Sequence, residues 1–152
     1  VRISAKADYA VRAAAELAAA PADTPVRAEQ IATAQGIPLK FLLHILNELK
    51  LARIVQSQRG ARGGYRLARS AAQITVADVI RAVEGPLANV HESRPEELDY
   101  KGAAEPLREV WVAVRANLRA VLESVTLANL AQGSLPPAIK RLVGAPEAWL
   151  PH

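Results

Sequence analysis

Apolar positions recur at helical spacing along most of this chain. Tyr9, Ala13, Leu17 and Ala20 form one such row and Ala10, Ala14 and Ala18 another. They predict a helix over residues 5–20, with Ser4 as its N-cap and Pro21 as its stop. The small residues would let a second helix approach closely. A short helix is expected over Ala28 to Ala34, with Ile31 facing inwards, and Gly36 then permits a tight turn. The next helix starts at Pro38, a residue suited to a first helical position. Leu39, Leu42, Leu46 and Leu49 form its apolar stripe, and Lys40, Phe41, His44 and Asn47 lie towards the other side.

The pattern then changes. Ile54 to Ser57 and Tyr65 to Ala68 read as two short strands, joined by a glycine-rich loop that carries arginines and no acid. Thr75-Val76-Ala77-Asp78 has the form of a capping box, opening a helix that runs to Glu84 and ends at Gly85-Pro86. Residues 87–103 are polar, charged and without periodicity, and read as a mobile loop. The longest helix is expected from Glu105 to about Ser124. Leu107, Val110, Trp111, Val114, Leu118, Val121, Leu122 and Val125 are spaced on it by three or four. So broad an apolar face more often pairs with another subunit than lies alone. Thr126 can cap a further short helix through Asn129, ending near Gly133. Another is expected over Pro136 to Val143, and residues 145–152 are undecided.

These elements make a mainly α fold: a winged helix-turn-helix with a small two-stranded wing and a long C-terminal dimerisation helix. The expected division is a DNA-binding domain over residues 1–86, a loop over 87–104, and the dimerisation helix with its C-terminal extension over 105–152. The helix beginning at Pro38 would enter a major groove with its N-terminal part.

Charge sharpens that reading. Residues 1–84 carry twelve Lys or Arg against seven Asp or Glu, whereas residues 85–152 carry seven against eight. No acid lies between Glu48 and Asp78, while Lys50, Arg53, Arg59, Arg62, Arg66 and Arg69 all fall there. A basic stripe is often only a solvated face, but on a hairpin that follows a helix-turn-helix it points to phosphate. Apolar residues make up 51% of the chain, which is enough for a packed core. No run of about 18 apolar residues offers a membrane span, and no signal-peptide layout opens the chain, so the expected compartment is the cytoplasm. The chain has no cysteine, which excludes disulfides and thiolate metal ligands.

Three stretches also carry a family resemblance: Ser4-Ala5-Lys6-Ala7-Asp8-Tyr9-Ala10; the segment from Ile31 through Arg59-Gly60-Ala61-Arg62-Gly63-Gly64-Tyr65 to Ala68; and Ile74 to Gly85. From about Ile3 to Leu130 the chain resembles the Rrf-two family of bacterial winged-helix repressors, the group that includes the IscR, NsrR and CymR types. The resemblance implies a homodimer on a palindromic operator of double-stranded DNA, with wing arginines in flanking minor grooves. Arg59 is the first candidate for that insertion, with Arg62 beside it, on a wing built by Gly60, Gly63, Gly64 and Tyr65. Lys40 and His44, on the helix opened by Pro38, are candidates for base edges or phosphates. Leu43 offers at most an apolar contact, such as a thymine methyl. Phe41 packs either on sugar or within the domain. Ser4 and Tyr9 are expected at phosphate, with a core role for Tyr9 as the alternative.

Sensing is where the chain departs from the resemblance. Cluster-binding relatives carry three cysteines before the dimer helix; an ungapped comparison places Ser93, Asp99 and Glu105 there, and Arg108 where one subtype has a histidine. A cluster held by that route needs thiolates, so no cofactor is expected. His91, Asp99 and Glu105 have the chemistry of metal ligands, but their irregular spacing in a charged loop reads as solvated. A small-molecule effector pocket between the winged helix and the dimer helix would use Tyr100 and Trp111 as walls, although Trp111 also reads as plain core. Control by a protein partner is the other option. Catalysis is not expected: the glycines lie in a hairpin without the Walker lysine-serine ending, and three scattered histidines form no triad. The competing class is a nonspecific nucleic-acid-binding or architectural protein, for which the basic wing would suffice.

Overall fold

The computed structural model describes residues 1–152. Helix α1 spans Ala5–Ala19, capped by the Ser4 hydroxyl, which accepts from the Ala7 amide at 3.0 Å. Its inner face is Ala7, Ala10, Ala13, Ala14 and Leu17. Because most of these side chains are single methyl groups, later helices of the chain pack against it closely.

Helix α2 (Ala28–Gln35) ends at Gly36, which takes φ +63° and turns the chain into α3 (Leu39–Leu51). Pro38 is the N-cap of α3, one position earlier than its expected place inside the helix. The buried stripe differs from expectation as well. Leu42, Ile45, Leu46 and Leu49 are fully buried, while Leu39 is 38% exposed. In the first turn of α3 nothing has yet closed over Leu39, and Ile37, just before the helix, is buried instead.

Strands β1 (Val55–Gln58) and β2 (Gly64–Leu67) pair antiparallel, with Val55 opposite Leu67 and Gln58 opposite Gly64. The hairpin therefore lies one residue nearer its tip than the apolar pattern suggested. Ile54 is held at the end of α3, where its amide donates to Leu49 at 2.9 Å. A single bridge from Val26 adds a third chain beside Tyr65.

Helix α4 (Val76–Glu84) begins at the expected capping box, with Thr75 and Asp78 each accepting from the other's amide. Residues 87–103 contain a 3-10 turn over Pro95–Glu97 whose Pro95 is buried, and a second 3-10 turn, Gly102–Ala104, leads to α5. Helix α5 (Leu107–Leu122) is shorter at each end than expected, since Pro106 caps it and Glu123 closes it. No residue of α5 is buried within the chain.

After α5 the chain returns to pack against α1 and the segment before α4. Val76 donates to the Val125 carbonyl and Leu127 donates to the Ile74 carbonyl, each at 2.9 Å. Leu127 is fully buried in the main core. Helix α6 (Leu127–Gln132) follows a second capping box, Thr126 with Asn129, and stops at Gly133 in the left-handed region. Helix α7 (Pro137–Gly144) packs against a 3-10 turn over Pro146–Trp149. No helix is long and apolar enough to cross a membrane.

Candidate nucleic-acid interface

Burial of Leu42, Ile45, Leu46 and Leu49 leaves the opposite face of α3 in solvent. Lys40, Phe41, Leu43, His44 and Asn47 are all exposed there. Leu43 lines a shallow groove of about 230 Å³ with Arg27 and Ala28 at the start of α2 and Gly60, Gly63 and Gly64 of the wing. The outward side of α3 and the wing thus form one surface.

Two glycines build that wing. A side chain at Gly63 would place its Cβ 2.2 Å from the Gln58 carbonyl oxygen, and one at Gly64 would lie 2.6 Å from the Val26 carbonyl oxygen. Both obstacles are backbone and cannot give way. Gly64 also takes φ +147°. Tyr65 is half-buried against the core. Gly63, Gly64 and Tyr65 therefore shape and seat the wing, whereas Arg59, Gly60 and Arg62 are exposed at its tip.

The charges divide sharply. None of the seven cations from Lys40 to Arg69 belongs to an ion pair; by contrast, Arg81, Arg115 and Arg119 of α4 and α5 all do. Arg81 and Arg119 share Glu123, whose carboxyl is held below the usual range by hydrogen bonds from Arg81 and then Arg119. Glu96 is also lowered, first by a backbone hydrogen bond and then by Arg115.

His44 and Lys6 converge on a residue that the apolar pattern did not single out. Glu48 Oε1 lies 2.9 Å from Lys6 Nζ and 3.3 Å from His44 Nε2, and Glu48 Oε2 is buried without a hydrogen-bond partner. The i,i+4 spacing of His44 and Glu48 was the available signal; the approach of Lys6 from α1 needed the tertiary fold. Ser4 has its hydroxyl committed, accepting from Ala7 and donating to Glu84. Tyr9 is half-buried, with the Phe41 ring edge-on at 5.9 Å and the Arg12 guanidinium 5.0 Å over its own ring. Phe41 thus packs within the domain on one edge and leaves 46% of its surface to solvent.

Of the expected effector residues, Tyr100 and Trp111 are brought together: Trp111 Nε1 donates to the Tyr100 hydroxyl at 3.1 Å. His91, Asp99 and Glu105 are exposed, and no three His, Asp or Glu residues come close enough to hold a metal ion. On α5, Leu107, Trp111, Val114, Leu118, Val121 and Leu122 are half-buried and Val110 is 50% exposed.

The sequence pattern of the Rrf2 family, described as iron-dependent transcriptional regulator, matches residues 3–133. The chain belongs to the Rrf2 family. CymR of Bacillus subtilis, an HTH-type transcriptional regulator, is 34% identical over 131 residues, covering 86% of this chain and 90% of CymR. A Mycobacterium tuberculosis protein, named provisionally as an HTH-type transcriptional regulator, is 48% identical over 142 residues, covering 93% of this chain and 88% of its own. Among solved structures, CymR of B. subtilis superposes with a TM-score of 0.75 at 33% identity, covering 88% of this chain and 98% of that one. The IscR of T. potens superposes at 0.69 with 32% identity, covering 100% and 93%. This chain is accordingly a DNA-binding transcriptional regulator with a winged helix-turn-helix, and not an enzyme.

The iron in the family's description does not suit this donor set. With no cysteine and no cluster of three His, Asp or Glu, these residues do not fit a protein-held iron centre.

Proposed function

We propose that this Rrf2-family chain is a homodimeric repressor working in the cytoplasm on a palindromic operator. The N-terminal half of each α3 enters a major groove, bringing Lys40 and His44 to base edges or phosphates and Leu43 to an apolar edge. Arg59 and Arg62 of each wing reach into the flanking minor grooves. The two copies pair through α5. Control comes from a small molecule or a protein partner, not from a cysteine-ligated cluster.

The observation that carries this reading is the arginine pair at the wing tip. Arg59 and Arg62 are exposed, without ion-pair partners, and fixed beside the outward face of α3 by glycines that tolerate no side chain. Phosphate contacts position a protein on DNA, while the side chains of α3 would read it. Selection of bound fragments from random-sequence duplexes tests the proposal. A two-fold symmetric consensus preferred by about 10³ or more over unrelated duplex is expected. Equal binding to all duplexes would instead mark a nonspecific or architectural protein.

A further inference from the structure

Six of the seven unpaired cations from Lys40 to Arg69 fall at two ends of the DNA-reading unit, with Arg66 between them on β2. Lys40, Arg59 and Arg62 lie at the start of α3 and at the wing tip. Lys50, Arg53 and Arg69 lie at the other end, where α3 stops and the hairpin is rooted. At about 1.5 Å per helical residue, the length of α3 puts these two ends roughly 20 Å apart. A cleft of about 790 Å³ opens at the second end, lined by Lys50, Arg53 and Arg69 with Gln56 and Ser57, over the buried side chain of Val55.

No acid lines this cleft, and none of its three cations has an ion-pair partner. The carbonyl end of α3 accounts for a cation at Lys50. It does not account for Arg69, which follows the end of β2. Arg53 takes φ +60° at the left-handed position that closes α3, which sets it at the rim of the cleft. Three cations around one concavity without an acid give it a positive field that attracts an anion. The size falls within the range of small-molecule sites, and Gln56 and Ser57 supply polar groups able to orient a ligand.

We propose that this cleft binds a small molecule bearing a phosphate or diphosphate group. It touches the last turn of α3, strand β1 and the chain leaving β2, so a bound anion fixes the angle between the recognition helix and the wing. That makes it an effector site, an assignment that rests on the regulator reading above. A ligand bound there shifts DNA affinity only as far as it favours one wing arrangement over another.

The probe is inorganic pyrophosphate, titrated calorimetrically into the full chain at constant ionic strength. Saturable binding at one site per chain is expected. Lys50→Gln combined with Arg69→Gln, both at exposed positions, weakens it by about tenfold or more. Arg59→Ala combined with Arg62→Ala leaves it unchanged. Absence of saturable binding, or equal weakening by both pairs, overturns the proposal. A second arm measures DNA affinity without pyrophosphate: the Lys50/Arg69 pair is expected to lower it by much less than the wing-tip pair does. Loss as large as that caused by the wing-tip pair would place the cleft on the DNA surface and overturn the ligand site. Failure of the regulator reading is a separate result, a wild-type chain with no preference among duplexes.

Discussion

Val26 and Tyr65 exchange two backbone hydrogen bonds, Val26 N–H to Tyr65 O at 2.8 Å and Tyr65 N–H to Val26 O at 2.7 Å. This reciprocal pair fixes the wing to the chain entering α2, and hence to α3. Gly64 makes the approach feasible, because any Cβ there would lie 2.6 Å from the Val26 carbonyl oxygen. Gly64→Ala must therefore break the bridge or strain it. We expect a loss of about 1–3 kcal/mol in urea denaturation, together with weaker DNA binding. An alanine variant of wild-type stability would show that the wing is not seated by this contact.

Arg59 and Arg62 behave in the opposite way. Both are exposed and bonded to nothing in the chain, so replacing either by alanine should alter stability by less than about 0.5 kcal/mol. DNA affinity is expected to fall by about tenfold or more, and the dependence of log affinity on log salt to flatten by about 0.9 per lost phosphate contact. Anisotropy titrations at several salt concentrations separate the two effects. An unaltered slope for both variants would remove the wing tip from the interface.

Features written in consecutive residues are legible in the sequence itself. The Thr75–Asp78 capping box and Thr126 with Asn129 are local chemistry, as are the left-handed glycine at 36 and the basic tip between two short strands. Phase along α3 was harder. Leu39 and Ile45 both suit an apolar stripe, and only the packing of α1 and α4 against α3 decides that Ile45 is inside. The segment around Pro95 has no periodicity, yet Pro95 is buried near Glu96, which pairs with Arg115 of α5. Glu48 with Lys6, and the cleft of Lys50, Arg53 and Arg69, join residues far apart in the chain. No local pattern announces such pairings.

Glu123 joins α4 to α5 by way of Arg81, and its pKa is lower in the folded chain than the usual glutamate range. A depressed carboxyl contributes stability above its unfolded pKa and loses that contribution as pH falls through the folded value. The wild-type chain should therefore weaken as pH drops from about 5 towards 3. Glu123→Gln should weaken less over the same interval, having already lost the charge. Urea midpoints for both proteins at pH 7 and pH 3 make the comparison. Equal acid losses would mean that this pair contributes nothing measurable to the joint between the helices.

Without cysteine or a three-residue His/Asp/Glu cluster, iron has no foothold in this chain, and DNA binding should not depend on it. Protein purified anaerobically is expected to show no absorption band above the aromatic region. Dialysis against a chelator should leave its DNA affinity within about twofold, far below the tenfold that a 1.4 kcal/mol change produces. Loss of binding on chelation, restored by ferrous ion, would defeat this expectation and require ligands contributed by a second chain.

The face of α5 separates the dimer proposal from a monomeric alternative. Leu118 is a poor probe, because it lines a groove with Ile3, Ala7 and Ile80 of its own chain, and a polar residue there would disturb the fold. Val110 is better suited: it is 50% exposed within the chain, on a helix with no buried residue at all. If α5 pairs with its counterpart, Val110→Glu puts two carboxylates into an apolar seam, where unpaired charge is strongly disfavoured. Sedimentation should then show the variant dissociating at protein concentrations where the wild type stays dimeric, with unchanged helical content. Operator affinity should fall with it, since each half-site would have to bind alone and the gain in effective concentration from linkage disappears. A variant that sediments like the wild type would move the interface away from this part of α5.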